Sequence, residues 1–115
     1  MNRILATAIL PNIAPASLAE FKDLAATILE RVRTEPGTLQ HDWFLNSDET
    51  RCVVHEGYVY SEAVLAHLGN VGEFLGKLIE LGGGVELEVF GDPSPDLVAA
   101  PAGLQPRISG TLQTK

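Results

Sequence analysis

The chain has 115 residues, a formal net charge of −7 and 45% hydrophobic residues, which is the size and composition of one globular domain. The negative charge disfavours nucleic acid and anionic membrane surfaces as partners, because both would repel it. A single cysteine excludes an internal disulfide, and no apolar run approaches the roughly 20 residues that cross a bilayer. We therefore expect a cytoplasmic protein that binds neither nucleic acid nor membranes.

The chain is predicted to begin with a strand and an amphipathic helix. Residues Ile4–Leu10 are apolar except for Thr7, a pattern typical of a strand buried on both faces. Ser17 and Glu20 have the spacing of a capping box, in which each side chain binds a free backbone N–H at the helix start. Pro36-Gly37 then ends the helix. Its apolar stripe comprises Leu18, Phe21, Leu24, Ala25, Ile28, Leu29 and Val32.

A hairpin, a second helix and a last strand follow. Residues 39–46 and 51–58 are predicted to pair as strands around a polar loop. Ser61 is predicted to cap the second helix, and Gly69-Asn70 interrupts its apolar stripe, so either a kinked helix or two short helices are expected. Residues 85–90 alternate between apolar and acidic side chains, as in a strand with one exposed face.

The element order β-α-β-β-α-β predicts an α+β, ferredoxin-like fold with a four-stranded antiparallel sheet and both helices on one face. The other face would then be bare, although the first strand is apolar on both sides. We therefore expect a homodimer that packs sheet face to sheet face. Residues 1–93 are expected to form this domain.

Residues 94–115 are predicted to be a C-terminal extension. Ser94-Pro95-Asp96 is a typical helix start, so a short helix is expected first. From about Gln105 onward the chain has few apolar residues, and it is expected to be either disordered or packed against the partner subunit.

Three polar residues are the strongest candidates for chemistry. His67 lies at the edge of the apolar stripe of the second helix, where it would face the sheet and could deprotonate a phenolic ligand. The alternative is a boundary histidine that binds a backbone carbonyl. Tyr58 and Glu56 share one strand face and would offer a donor and an acceptor. Tyr58 is alternatively a residue at the edge of the core.

Several further residues depend on how the hairpin strands pair. Trp43 is either a flat wall for an aromatic ligand or a residue of the core or dimer interface. His41, His55 and Cys52 change faces with a shift of one residue, and Cys52 is expected to be an inert buried thiol. The histidine spacings lack the pairs typical of metal sites, so we predict neither a metal nor a cofactor.

The chain resembles the antibiotic biosynthesis monooxygenase family. The residues that carry the resemblance are the Glu35-Pro36-Gly37-Thr38 turn, the strand sequences LQHDWFLN and RCVVHEGY, the spaced series Glu56, Tyr58, Ser61, Glu62, Ala63 and His67, and Gly91-Asp92-Pro93-Ser94. The resemblance implies a dimeric α+β barrel that oxidises a quinol or polycyclic phenol with O2, without metal or flavin. The protein would bind the phenol, favour its anion and exclude water.

The resemblance also implies a pocket between helices and sheet. Its catalytic groups would be His67, Tyr58 and Glu56, and its ligand a small aromatic molecule. Tyr58 stands where many members carry Trp, and Thr7 stands where haem-degrading relatives have Asn, which makes haem chemistry less expected. A non-catalytic binding or dimerisation module of the same fold is the alternative function. The residues predicted to line the pocket are Trp43, Phe21, Val64, Val71 and Phe74.

Overall fold

The computed structural model describes residues 3–100 and 105–115. Its elements are β1 (Ile4–Leu10), a single 3-10 turn (Pro15–Ser17), α1 (Leu18–Val32), β2 (Thr38–Leu45), β3 (Cys52–Tyr58), α2 (Ser61–Leu81), β4 (Glu86–Phe90), α3 (Pro95–Ala99) and β5 (Arg107–Ser109). The order from β1 to β4 is the predicted β-α-β-β-α-β. Within the described ranges, no helix combines the length and apolar character that crossing a membrane requires.

The sheet has five strands in the order β2-β3-β1-β4-β5. Strand β1 lies at the centre and pairs antiparallel with β3 and β4, which confirms the ferredoxin-like α+β fold. The four expected strands pair antiparallel as predicted, and the sheet differs from the expectation only in that β5 adds to β4 in parallel. The free edge of β4 offers unpaired backbone groups, and the C-terminal segment satisfies them.

The C-terminal segment therefore differs from both expected arrangements, which were a disordered tail and a tail packed against the partner subunit. Residues 107–109 pair with β4 of their own chain, and the Gly91 N–H donates to the Ser109 carbonyl at 2.9 Å. Ahead of them, Ser94 caps α3 by accepting from the Leu97 N–H, as its position predicts. Residues 101–104 lie outside the described ranges.

The helix starts differ from the sequence predictions in detail. Ser17 is the N-cap residue of α1, but its side chain makes no capping hydrogen bond, so the capping box with Glu20 does not form. Ser61 is the first residue of α2 and not its cap; its hydroxyl instead accepts from the Ser94 N–H at 2.9 Å. Helix α2 also continues through Gly69-Asn70, because packing against α1 and the sheet outweighs the low helix propensity of two residues.

One face of the sheet is covered by the helices. Along β1 the inward side chains Ile4, Ala6 and Leu10 are buried, whereas the outward Leu5 is 43% exposed. In a single chain, β1 is therefore not buried on both faces as expected. The inward core forms two clusters of buried residues, one around α1 and β3 and one around the start of α2.

Candidate active site

A cluster of polar side chains lies between the sheet and the first half of α2. Glu56 and Tyr58 share the inward face of β3, two residues apart, and His41 on β2 lies directly opposite Glu56. His67 of α2 covers them, with its ring centre 5.2 Å from that of His41 and 5.5 Å from that of Tyr58. Three of the predicted residues therefore come together, and His41 joins them.

His67 is held by a carboxylate. Its Nδ1 lies 2.9 Å from Oε1 and 3.2 Å from Oε2 of Glu35. The Thr38 hydroxyl donates to Glu35 Oε1 at 2.7 Å and the Asn70 amide donates to Oε2 at 2.8 Å. Burial raises the pKa of Glu35, but these two donors and the nearby His67 outweigh it and bring the pKa below its usual value. Glu35 is therefore an anion that orients the His67 ring.

The turn between α1 and β2 brings this carboxylate to the helix. A Cβ on Gly37 would lie only 2.6 Å from the Cβ of Ala63, so the close approach of this turn to α2 requires glycine. Ala63 lies four residues before His67, on the same side of α2. The contact between Gly37 and Ala63 thus sets the separation of Glu35 and His67, which are 32 residues apart in the chain.

Glu56 is hydrogen-bonded to a buried phenol. The Tyr58 hydroxyl donates to Glu56 Oε1, and burial together with the Glu56 charge raises the pKa of Tyr58 above its usual value. Tyr58 is fully buried, so it stays neutral and remains a donor. His67 Nε2 lies 4.0 Å from Glu56 Oε1, which is beyond direct hydrogen-bond reach.

An apolar cavity of about 100 Å³ opens beside this cluster. Glu56 and His67 supply its polar end, and the inward faces of β1 and β4 supply its floor. Helix α2 forms one wall, while α3 and β5 close the other. The wall residues of α2, α3 and β5 and the adjoining loops are Val64, Leu68, Leu75, Ile79, Pro93, Leu97, Val98, Pro106 and Ile108.

The residues predicted to bind substrate separate into two groups. Val64 lines the cavity. The other four lie in or against the packed core. Phe21 and Val71 are buried in it, and Trp43 packs against it with its ring edge-to-face to Phe21. Phe74 also packs against the core, and the Arg31 guanidinium lies over its ring. The cavity begins beyond them, where alanines replace larger side chains on β1.

The register of the strands fixes the sheet faces of His41, His55 and Cys52. His41 shares the inward face with Trp43, whose Nε1–H donates to His41 Nδ1 at 3.0 Å. His55 faces outward beside Thr7 and Phe44. Cys52 is buried in the core, and burial raises the pKa of its thiol to about 11, which makes it an inert thiol as expected.

Sequence reasoning missed the groups that orient His67. The sequence indicates only turn or helix positions for Glu35, Thr38 and Asn70, because their side chains come from separate elements and meet only in the folded protein. The Glu-Pro-Gly-Thr turn could have indicated this contact. A carboxylate just before a glycine turn lies close to the element that packs on that glycine, which here is α2. The α3 and β5 wall was also missed, because the pairing of β5 depends on a free sheet edge.

This arrangement can remove a proton from a bound hydroxyl. When an ionised Glu35 binds Nδ1–H, neutral His67 has its lone pair on Nε2, the nitrogen nearer Glu56 and the cavity. The lining of the cavity is mostly apolar, and such surroundings strengthen interactions with a developing anion. The site is thus a carboxylate-oriented imidazole at the end of an apolar cavity.

Three solved structures share this fold. MupZ from Pseudomonas fluorescens is 24% identical, with a TM-score of 0.82 over 100% of this chain and 94% of that one. Rv0793 from Mycobacterium tuberculosis is 19% identical, with a TM-score of 0.70 over 81% and 97%. SnoaB, a cofactor-independent oxygenase from Streptomyces nogalater, is 18% identical, with a TM-score of 0.62 over 82% and 96%.

The family comparison agrees with the fold. A comparison with curated proteins returns no match. The family model for antibiotic biosynthesis monooxygenase matches residues 6–72, more than half of the chain and the stretch that contains every member of the polar cluster. The chain therefore belongs to the antibiotic biosynthesis monooxygenase family.

Proposed function

We propose that the protein is a cofactor-independent monooxygenase that oxidises a quinol or phenol with O2. The observation that carries this proposal is the Glu35–His67 pair at the polar end of an apolar cavity. Family membership and the fold shared with SnoaB, a cofactor-independent oxygenase, support it.

In this mechanism His67 acts as the general base. The aromatic ring of the substrate lies among the apolar walls, and its hydroxyl points to His67 Nε2. Transfer of the proton forms an imidazolium, which Glu35 stabilises, and an electron-rich phenolate. The phenolate gives one electron to O2, and the resulting phenoxyl radical and superoxide join at a ring C–H carbon. The peroxide takes up the proton from His67 and loses water, which leaves a quinone, so O2 is the oxidant and its two oxygen atoms end in the quinone and in water. General bases of this kind contribute about 10²- to 10⁴-fold to rate.

The size of the cavity limits the substrate. Its volume of about 100 Å³ is below the roughly 150 Å³ of an engineered protein cavity that holds benzene. A single ring therefore requires a small outward displacement of the walls. A polycyclic phenol requires a larger one, and the α3 and β5 wall, built from short elements, is the part that we expect to yield.

The test is oxygen uptake with hydroquinone as the quinol. Purified protein should accelerate O2 consumption above the protein-free rate, and His67→Gln should lower the catalysed rate at least 100-fold. The matched control is His55→Gln, the same substitution on the outward face of the sheet, which should leave the catalysed rate unchanged. Equal rates for the wild-type protein and His67→Gln would remove His67 from the mechanism.

A non-catalytic ligand-binding module is the second candidate, and the cavity itself favours it. In that case aromatic ligands raise the melting temperature while O2 uptake stays at the protein-free rate with every quinol. Binding and oxygen uptake must therefore be measured on the same preparation.

We further propose a homodimer through the outward sheet face. Leu5 and Phe44 on that face are 43% and 51% exposed, an apolar surface that a second copy would cover. Phe44→Glu should convert the protein to monomers in sedimentation, because it places a charge in the interface. The control is Thr27→Glu, at an exposed position of α1 on the helix side of the sheet. A monomeric wild-type protein would overturn the proposal.

A further inference from the structure

We propose that His41 and His67 bind one hydroxyl oxygen beside Glu56, with His41 as hydrogen-bond donor and His67 as acceptor. The oxygen belongs to water in the free protein and to the phenol or quinol in the complex. The inference rests on the proposed function for the identity of the ligand. It assigns to His41 a direct contact that neither the sequence nor the family comparison supplies.

The spacing of the three groups matches a single oxygen. A ring nitrogen of each histidine and a carboxylate oxygen of Glu56 all lie within 4.8 Å of one another. Two atoms 4.8 Å apart can each lie about 2.8 Å from an oxygen placed between them. The 4.0 Å between His67 Nε2 and Glu56 Oε1 likewise leaves room for one bridging atom and none for a direct bond.

Trp43 determines which nitrogen of His41 carries the proton. An indole N–H can only donate, and it donates to His41 Nδ1 at 3.0 Å. Nδ1 must therefore hold the lone pair, so neutral His41 carries its proton on Nε2. Burial and the nearby His67 lower the pKa of His41 against the opposing effect of Glu56, Glu35 and Asp42, which favours this neutral form.

His67 has the opposite polarity. Because Glu35 binds its Nδ1, the free Nε2 accepts. Glu56 also accepts, with one oxygen already bound by Tyr58. A central oxygen thus meets one donor and two acceptors. A water molecule matches all three, and a phenol hydroxyl matches the donor of His41 and the acceptor of His67.

The same assignment disfavours a metal ion at this place. Two histidines and a carboxylate are a common ligand set for divalent metals, and here they converge. A metal would need a lone pair on Nε2 of His41, yet the Trp43 contact puts a proton there. The ring would have to give up its bond with Trp43 before it could act as a ligand.

The proton step balances within the cluster. The phenol O–H bond breaks, a N–H bond forms at His67 Nε2, and the electron pair stays on the phenol oxygen. The resulting phenolate accepts from two N–H groups, one from each histidine. Glu35 and Glu56 flank the new imidazolium, so the charge formed on His67 has two carboxylate neighbours.

The first test needs no variant. In protein labelled with ¹⁵N-histidine, NMR should show His41 protonated on Nε2 and His67 on Nδ1. Phenol should shift the Nε2 resonances of both rings, whereas anisole, which cannot donate a proton, should leave that of His67 unchanged. Protonation of His41 on Nδ1, or equal effects of phenol and anisole, would overturn the proposal.

The second test measures the two affinities. Phenol should bind the wild-type protein about tenfold more tightly than anisole, the value of one to two hydrogen bonds. The ratio reports the O–H that phenol donates to His67, since the oxygens of phenol and anisole can both accept from His41. His41→Leu should therefore weaken the binding of both ligands about tenfold, while His41→Gln, which retains an N–H, should keep most of the affinity. His55→Leu, on the outward face, is the matched control and should leave both affinities unchanged.

The outcomes separate this proposal from the proposed function. A phenol affinity that survives in folded His41→Leu protein overturns the role of His41, whatever the oxygenase activity. A phenol affinity that depends on His41 in a protein without oxygen uptake supports the hydroxyl site and contradicts the oxygenase. Far-UV circular dichroism checks the fold of each variant.

Discussion

The two halves of the layer between helices and sheet have the same burial but different contents. Under α1 the layer is packed with aliphatic and aromatic side chains. Under α2 it contains a polar cluster, beneath the first half of the helix, and a cavity that extends as far as Ile79. Val71 and His67 lie one turn apart on the same helix, and both are buried, yet one belongs to the core and the other to the site.

The central strand shows how the difference arises. Leu10 belongs to the packed core, whereas Ala6 and Ala8 form the cavity floor. Small side chains leave the space, and Glu56 on the neighbouring strand gives that space a polar end. The space in this half therefore results from small side chains within regular strands.

The packed half should respond to mutation in stability alone. Ile28→Ala removes a buried side chain of α1 and should lower the free energy of unfolding by about 2–5 kcal/mol, measured by urea denaturation. The ratio of phenol to anisole affinity should not change. Thr27→Ala, at an exposed position of the same helix, is the control. A changed ratio in folded Ile28→Ala would show that the two halves are coupled.

Mutations in the polar half should change both the free energy of unfolding and the tautomer of His67. Glu35→Gln keeps the shape but removes the charge that binds His67 Nδ1. We expect a loss of about 1.5–3 kcal/mol in unfolding free energy, typical of hydrogen bonds to charged groups, and a mixture of His67 tautomers in ¹⁵N NMR. Glu62→Gln, exposed on α2, provides the comparison. A single unchanged tautomer would mean that Glu35 does not orient the ring.

Filling the cavity should make the half under α2 as tightly packed as the half under α1. Ala8→Leu adds apolar atoms to a space of about 100 Å³, so the unfolding free energy should change by less than about 1.5 kcal/mol. Phenol affinity should fall roughly tenfold or more, because the ring loses its place. Ala26→Leu, on the exposed side of α1, serves as the matched variant. Undiminished phenol binding would place the ligand elsewhere.

The smallest expected effect is a pH dependence from the polar half. Since the pKa of His41 is lowered in the folded state, the unfolded chain binds more protons as pH falls below about 6.5. Stability should therefore decline from neutral pH downward, and His41→Gln should flatten this decline in thermal melts. The lowered pKa of Glu35 acts with the same sign at lower pH. Parallel melting curves for the two proteins would refute the contribution of His41.

Local patterns were sufficient to predict most of the fold. The first strand has the predicted bounds, Ile4–Leu10, and α1 spans the predicted apolar stripe from Leu18 to Val32, because these apolar patterns follow burial. His67, Glu56 and Tyr58 were found by strand and helix geometry together with the family resemblance. Their grouping needed only the order of the elements.

The remaining features depend on contacts between distant residues. The pairing of Glu35 with His67 follows from the approach of Gly37 to Ala63, which no local pattern reveals. Four of the predicted lining residues belong to the packed core, since an apolar stripe does not tell which of its members meet an empty space. Strand β5 was missed because three residues with one apolar side chain carry no strand signal of their own.

The wall formed by α3 and β5 is encoded apart from the polar cluster. Residues 6–72, which match the family, contain the whole polar cluster, whereas this wall is supplied by residues 93–98 and 106–108. The polar cluster and this part of the cavity wall can therefore diverge independently. Exchanging the C-terminal stretch between relatives would accordingly change the shape of the cavity and leave the polar cluster intact.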